Sequence, residues 1–384
     1  MGHAGMFTVV TTALLAASAG ADASIPPAPA EAPREVPTAA SDDSPGISRA
    51  RFLMGARLVI EARGAAVDEA IGRAFDEVAR LEAVLSNWRP GSEVSRLNGA
   101  ATTGPVTVSQ DLYAAVKVAL YWAEATGGAF DPTVEPLVRR LGLRGPEGIL
   151  PGVGAPPPAD AVAPGPVGWR GVRLDPGRRT VRFAVAGMGL DFGGIGKGMA
   201  LDAVACVLRA AGVEGALIDF SGQVLVFGRG PDAGGWRVGI ADSDDREETA
   251  LVVNLAAGSL STSGNSERAV VSGGRSIGHI LDPRTGGPVD WSGSVTVLAD
   301  DATAADALST ALFVLGPARG TGWAEEHGIQ VLYLERDPRG RLLRRGTGAL
   351  FRGIALGAPA SGVGRGARLA AVPPPQPQST EGSR

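Results

Sequence analysis

The chain runs to 384 residues and carries 36 lysines and arginines against 40 aspartates and glutamates, a formal net charge of −4. That length can bury a large core in one or two domains, while the acidic balance, with no basic block beyond RGRLLRRG at 339–346, argues against a nucleic-acid surface. One cysteine, Cys206, and three histidines, His3, His279 and His327, exclude an intrachain disulfide framework, a thiolate metal cluster and a His-rich metal site.

The N-terminal stretch MGHAGMFTVVTTALLAASAGADAS has an apolar run from Met6 to Ala17 followed by small residues in two A-x-A patterns, and reads as a signal peptide over 1–23. The run is too short to span a bilayer, so no transmembrane segment is predicted, and the reading implies export to the periplasm or another extracytoplasmic space. No cysteine stands there to carry a lipoprotein anchor. Residues 24–50 are Pro- and Ala-rich and read as a linker. The folded domain is predicted over 51–357, with a disordered tail over 358–384.

Within the domain, Ala56 to Ala62 alternates as a strand does, and Val67 to Leu85 repeats apolar residues at helical spacing. Ser109 is placed to cap a second helix that ends by Gly127. A Pro- and Gly-rich stretch at 145–168 reads as a surface excursion. Beyond it, Asp175-Pro176-Gly177 supplies a turn between two strands. A helix is predicted over 199–211, with Cys206 as a small core residue on it, and strands follow in ALIDF, QVLVFG, WRVGIAD and LVVNL. SVTVLADDATAADALSTALFVLG gives a further strand and helix, IQVLYLERD a late strand, and the 339–346 run a solvated strand edge. Hairpins and helices interleave without strict βαβ alternation, which points to an α+β fold.

The stretch DFGGIGKG at 191–198 enters the 199–211 helix through four glycines and a lysine. It fits neither a Walker A loop, because Gly198 follows Lys197 where Ser or Thr is required, nor a dinucleotide fingerprint, because Met199 stands where the last glycine belongs. Two readings remain: a tight turn whose glycines serve only positive φ, or a loop that lets an anionic ligand approach the backbone and the helix N-terminus. Asp306 and Thr310 are four apart in a helical pattern and share one face. They are either a solvated pair or hard oxygen ligands for a divalent cation.

DFGGIGKGMALD, STSGNSER, GHILDPRTGGPV and VTVLADDATAADALSTALFVLG, in this order, together with LSNWRPGSEVSRLN and GGAFDPTVEPL, resemble the ApbE family of FAD:protein FMN transferases over about Phe52 to Leu334. The resemblance implies a T-fold-like body of mixed antiparallel sheet and helices. It also implies a magnesium-dependent reaction that moves FMN from FAD onto a threonine hydroxyl of an acceptor flavoprotein, with AMP as the leaving product. Carried onto this chain, it makes Asp306, Thr310 and the carbonyl of Gly194 the magnesium site. Met54, Trp88, Ala129, Phe130, Asp131, Asp191, Lys197 and Leu281 become FAD contacts.

His279, the one histidine inside a motif, is either a general base for the acceptor hydroxyl or a turn-stabilising group. Asp282 is the next catalytic candidate or, alternatively, a cap of the Pro-Arg-Thr-Gly turn. The chain departs from the family pattern at Ala56, Trp88, Gln223 and Ser266, which predicts retained flavin chemistry with altered substrate fit. Two rival functions stay open: an FAD pyrophosphatase that uses water as nucleophile, and a flavin-binding protein without catalysis.

Overall fold

The structure, a computed structural model, describes residues 46–141, 143, 165–231, 235–264, 269–272 and 275–351. The stretches read as signal peptide and tail, nearly all of the linker, most of the 145–168 excursion and the departure at Ser266 lie outside the described residues.

Eight strands form one antiparallel sheet. In chain order they are β1 (Ile47–Leu53), β2 (Ala56–Arg63), β6 (Gly215–Phe220), β7 (Gln223–Gly228), β10 (Gly258–Gly264), β13 (Ser294–Ala299), β14 (Gln330–Arg336) and β15 (Leu342–Gly346), and their order across the sheet is the same. Smaller units are β3 (Val106–Thr107) with β4 (Val172–Asp175) and β5 (Thr180–Phe183), the β8 (Trp236–Ala241) and β9 (Thr249–Leu255) hairpin, and the β11 (Ala269–Ser272) and β12 (Arg275–Gly278) hairpin. The longer helices are α1 (Val67–Leu85), α2 (Glu93–Ala100), α3 (Gln110–Ala125), α5 (Gly196–Ala210) and α6 (Ala302–Glu326), with short α4 (Glu135–Arg140) and α7 (Gly348–Phe351). Sheet and helices follow hairpin connections rather than βαβ units, so the fold is α+β.

Alternation decides what each face of the sheet holds. On β7, Leu225 and Phe227 join Leu58, Ile60, Ile218 and Phe220 under α1 and α5, whereas Val224 and Val226 point the other way into a core closed by Trp236, Val238 and Val253 of the β8–β9 hairpin. Helix α1 buries Val67, Ala70, Ile71, Ala74, Phe75 and Val78, a stripe at i, i+3, i+4 and i+7. Ser109 caps α3, its Oγ accepting from the Leu112 N–H at 3.1 Å.

Three sequence readings need correction. Strand β1 starts at Ile47, inside the stretch read as linker, and is an edge strand of the sheet. Its side chains are mostly exposed and so leave no alternating apolar signal. Helix α5 starts at Gly196, three residues earlier than predicted, which puts Lys197 in its first turn. Cys206 is exposed, on the side of α5 turned away from the stripe Leu201, Val204, Ala205 and Leu208 that packs on the sheet.

Candidate active site

A cleft of about 560 Å³ opens where the β1–β2 turn, the C-terminal end of α1, the loop before α5, the segment after β12 and the first turns of α6 meet. Its volume suits a ligand the size of a cofactor. Every sequence-predicted site residue lines it except Asp282.

The glycine loop forms the floor. None of Gly193, Gly194, Gly196 and Gly198 has a positive φ, so the loop does not use glycine for backbone conformation. Two of them are required by close approach instead. A Cβ at Gly198 would lie 2.3 Å from the carbonyl oxygen of Ala302, so α5 and the start of α6 can touch only without one. A Cβ on Gly194 would meet Thr310 Oγ1 at 3.0 Å and Phe130 Cε2 at 3.3 Å.

Contact between these helices builds the polar corner of the cleft. Asp306 is only 4% exposed, and its Oδ2 accepts the Gly198 N–H at 2.9 Å. A carboxylate is stable there because it meets the free N–H groups and positive dipole end of α5. Thr310 Oγ1 lies 3.5 Å from the carbonyl oxygen of Gly194. The pairing is held from outside by Asp202, also on α5, whose Oδ1 accepts the Ala302 N–H at 2.8 Å and Oδ2 the Thr303 N–H at 2.9 Å. On the other flank, Ser309 Oγ donates to the Asp306 carbonyl at 3.0 Å and pairs with Ser263 Oγ at 2.9 Å and Ser261 Oγ at 3.1 Å on β10. Gln223, one of the departures named from the sequence, donates from Nε2 to the Ala302 carbonyl at 2.8 Å. A carboxylate could not donate that bond.

This corner fits the ion that the resemblance implies. One carboxylate, one hydroxyl and one carbonyl are all hard oxygen donors, and among the described residues no group of three His, Cys, Asp or Glu side chains is placed to hold a metal ion. A set with one carboxylate suits magnesium, which keeps waters and takes further oxygens from a phosphate substrate rather than a full protein cage.

The apolar wall is fixed by three tie points. Asp131 Oδ1 accepts from the N–H and Oγ1 of Thr133 at 2.8 and 2.6 Å, and Oδ2 accepts the Trp169 N–H at 3.0 Å. Burial pushes the Asp131 pKa up and these bonds pull it back in part, leaving it raised. The Asp191 N–H donates to the Pro132 carbonyl at 2.7 Å, and Asp191 Oδ1 accepts the Gly193 N–H at 2.7 Å. Asn87 and Asn98 both donate to the Leu190 carbonyl, at 2.7 and 2.9 Å. Ala129 and Phe130 are buried beside this framework, Leu281 is buried against Leu137, and Trp88 stands 49% exposed.

Met54 reaches the cleft by a turn that few residues adopt. Met54 and Gly55 have φ of 49° and 72°, the left-handed pair that a two-residue antiparallel hairpin requires. The methyl end of Met54 would lie 3.6 Å from a Cβ on Gly196.

His279 follows β12 and is half-buried on the cleft wall. The next residues turn back on themselves: the Val289 N–H donates to the Ile280 carbonyl at 3.1 Å, Leu281 bridges Pro288, and the Asp282 N–H donates to the Gly287 carbonyl at 2.8 Å. Asp282 itself faces this turn. Its Oδ1 accepts the Arg284 N–H at 2.9 Å, and its carboxylate pairs with the Arg284 guanidinium at 2.7–2.8 Å. These contacts are those of the turn cap that the sequence allowed as the alternative, and Asp282 is not among the residues that line the cleft.

Residues that sequence reading did not single out complete the site. Arg57, Arg246, Asn87 and Ser221 line the cleft. Asn87 Oδ1 is a buried acceptor with no protein donor. Only its place in LSNWRP marks Asn87 in the sequence. Nothing local marks Arg57 or Arg246.

Comparison with known proteins agrees with this geometry. The ApbE family model matches residues 54–333. An FAD:protein FMN transferase of Treponema pallidum is 34% identical over 314 residues, covering 77% of this chain and 86% of that one. One from Klebsiella pneumoniae is 31% identical over 286 residues, covering 73% and 80%. Among solved structures, the apo form of the flavinyl transferase ApbE of Pseudomonas stutzeri superposes with a TM-score of 0.70 at 30% identity, over 80% of this chain and 96% of that one. The ApbE protein of Thermotoga maritima gives 0.69 at 29% identity, over 78% and 96%. The chain is a member of the ApbE family.

Proposed function

We propose that this protein transfers FMN from FAD to a threonine hydroxyl of an acceptor flavoprotein and releases AMP. The observation that carries this reading is the meeting, in one cleft, of a hard-oxygen corner at Asp306, Thr310 and Gly194 with an apolar and aromatic wall at Phe130, Leu281 and Trp88. One end suits phosphate, the other a flat ring system. The names of the relatives support the same transfer.

In this mechanism the threonine oxygen attacks the phosphorus of the FMN half, the new O–P bond forms as the pyrophosphate P–O bond breaks, and AMP carries away the bridging oxygen. His279 takes the hydroxyl proton at a ring nitrogen. Asp306, the Thr310 hydroxyl and the Gly194 carbonyl would hold magnesium, which spreads charge from the phosphate oxygens when bound. Lys197, in the first turn of α5, adds positive charge beside the same phosphates. Asp131, whose carboxylate is occupied by Thr133 and Trp169, positions the Ala129–Phe130 wall rather than reacting.

Incubating the full chain with FAD, magnesium and a tagged acceptor protein tests the reading. A fluorescent protein–flavin adduct that disappears on replacing the acceptor threonine supports it. Free FMN without adduct would instead establish the pyrophosphatase, and unchanged FAD the non-catalytic binder.

A further inference from the structure

Helix α6 carries the polar corner in its first half and is then broken. Gly316, with φ of 72° and ψ of 168°, leaves the helical range, and Pro317 follows it. A helix end leaves its last carbonyls without intrahelical donors, and Pro317 has no N–H to give to the Phe313 carbonyl four residues before it. Three side chains from outside the helix serve this end. Tyr333 Oη donates to the Leu312 carbonyl at 2.8 Å, Trp291 Nε1 to the Phe313 carbonyl at 2.7 Å, and Arg284 Nη2 to the Val314 carbonyl at 3.4 Å.

Any broken helix needs its carbonyls satisfied; what sets this end apart is where two of the donors come from. Tyr333 belongs to the sheet, on β14, but Arg284 and Trp291 belong to the segment between β12 and β13, which starts with His279. The segment is braced against the helix along its length. Ile280 and Val289 pack against the clusters that hold Ala311, Phe313 and Val314, and the Trp291 ring lies 4.6 Å from that of Phe313. A Cβ on Gly293 would stand 2.5 Å from Trp291 Cζ3 and 2.4 Å from the Leu334 carbonyl oxygen, so only glycine lets the chain pass under the indole into β13. Asp282 holds the Arg284 guanidinium at 2.7–2.8 Å, and a cation so oriented also suits the negative end of the helix dipole.

Both bodies face one cleft. His279 and Ile280 line it from the segment, and Asp306 and Thr310 line it from the half-helix, about two turns and one turn before the capped carbonyls. A shift of the segment along α6 is therefore a shift of His279 against the polar corner.

We infer that Trp291 and Arg284 are positioning residues for FMN transfer: by capping the broken end of the half-helix that bears Asp306 and Thr310, they fix against it the segment that bears His279. This rests on the flavin-transferase reading and on His279 as its base, and it gives Asp282 a part as the carboxylate that orients Arg284. A base works only within hydrogen-bond reach of the proton it takes, so the distance set by this attachment enters the rate rather than the binding of FAD.

The test uses the full chain with FAD, magnesium and the tagged acceptor protein. Trp291→Phe keeps an aromatic ring beside Phe313 and removes the N–H donor, so the melting temperature should fall by only a few degrees. FAD affinity and the KM for FAD should stay within about twofold while kcat falls about tenfold. In a His279→Ala background the same change should cost less than about twofold, because losses that act through one group do not multiply. Arg284→Gln should act in the same direction; its side chain is 36% exposed, so that arm stands even where Trp291→Phe fails to fold. Wild-type kcat in both variants would overturn the inference, and so would an equal fold-loss with and without His279. A loss of FAD affinity that matches the loss of rate would overturn it too, by making the segment part of the binding wall. A wild-type chain that forms no adduct overturns the transferase reading itself, whereas adduct formation at full rate by both variants overturns this inference alone.

Discussion

Gly198 and Asp306, 108 residues apart in the chain, are joined by a hydrogen bond of 2.9 Å from the Gly198 N–H to Asp306 Oδ2. The bond exists because α5 and α6 meet backbone to backbone at a residue without a Cβ. Gly198→Ala should therefore push the helices apart, since the colliding atom is the Ala302 carbonyl rather than a mobile side chain. The expected cost is about 1–3 kcal/mol of stability, read as a lower melting temperature. A variant that melts with wild type would show that the helices have room to spare.

Asp306→Asn keeps an acceptor for the Gly198 N–H and removes the charge. Circular dichroism and melting should stay close to wild type, while magnesium-stimulated FMN transfer is lost. Adding EDTA to wild type should reproduce the loss, and restoring magnesium should reverse it only in wild type. Full activity in Asp306→Asn would remove this carboxylate from the metal site.

Trp88 is 49% exposed on the cleft and lines its wall. If it stacks on a ring of FAD, Trp88→Ala should weaken FAD binding by about 1 kcal/mol beyond lost contact area, and Trp88→Tyr should recover much of it. Tryptophan fluorescence quenching by FAD should also fall in Trp88→Ala. Unchanged affinity and quenching would assign Trp88 to the surface alone.

His279→Ala should bind FAD and magnesium yet transfer FMN more slowly at neutral pH, by ~10²- to 10⁴-fold. His279→Asn should be equally slow, because an amide can hydrogen-bond but cannot take the proton. Single-turnover rates across a pH series separate this from a structural role: both variants should lose the limb that wild type shows as its base protonates. Rates within a few-fold of wild type would leave proton transfer to another group.

Asp131 gives a pH test of the site's framework. Burial raises its pKa in the folded protein, so the native state holds a proton that the unfolded chain has already lost. Stability from this group is therefore greatest in acid and falls as pH rises from near 4 through the raised value. The difference in melting temperature between wild type and Asp131→Asn should change across that window and become flat above it. A difference that is flat throughout would mean that the hydrogen bonds from Thr133 and Trp169 fully offset the burial.

Where a segment's structure follows from its own neighbours, the sequence was enough. The apolar stripe at Val67–Leu85, the Ser109 cap and the Asp175-Pro176-Gly177 turn act over a few residues, and α1, α3 and the β4–β5 hairpin formed where those signals stood. The family motifs likewise marked residues that the fold gathers into one cleft. What only tertiary structure decided depends on partners remote in sequence. Whether glycines 193–198 served backbone conformation or close approach turned on Ala302 and Thr310, more than a hundred residues away. Cys206 and Leu208 sit in the same apolar-looking helix, and only the placement of the sheet exposes one and buries the other. Asp282 and Asp306 are equal as acidic residues in motifs, but the first pairs with Arg284 in its own turn while the second meets the helix end of α5. Arg57 and Arg246 carry no local signal at all; contacts of β2 and of the β8–β9 loop with Ser221 bring them to one cleft.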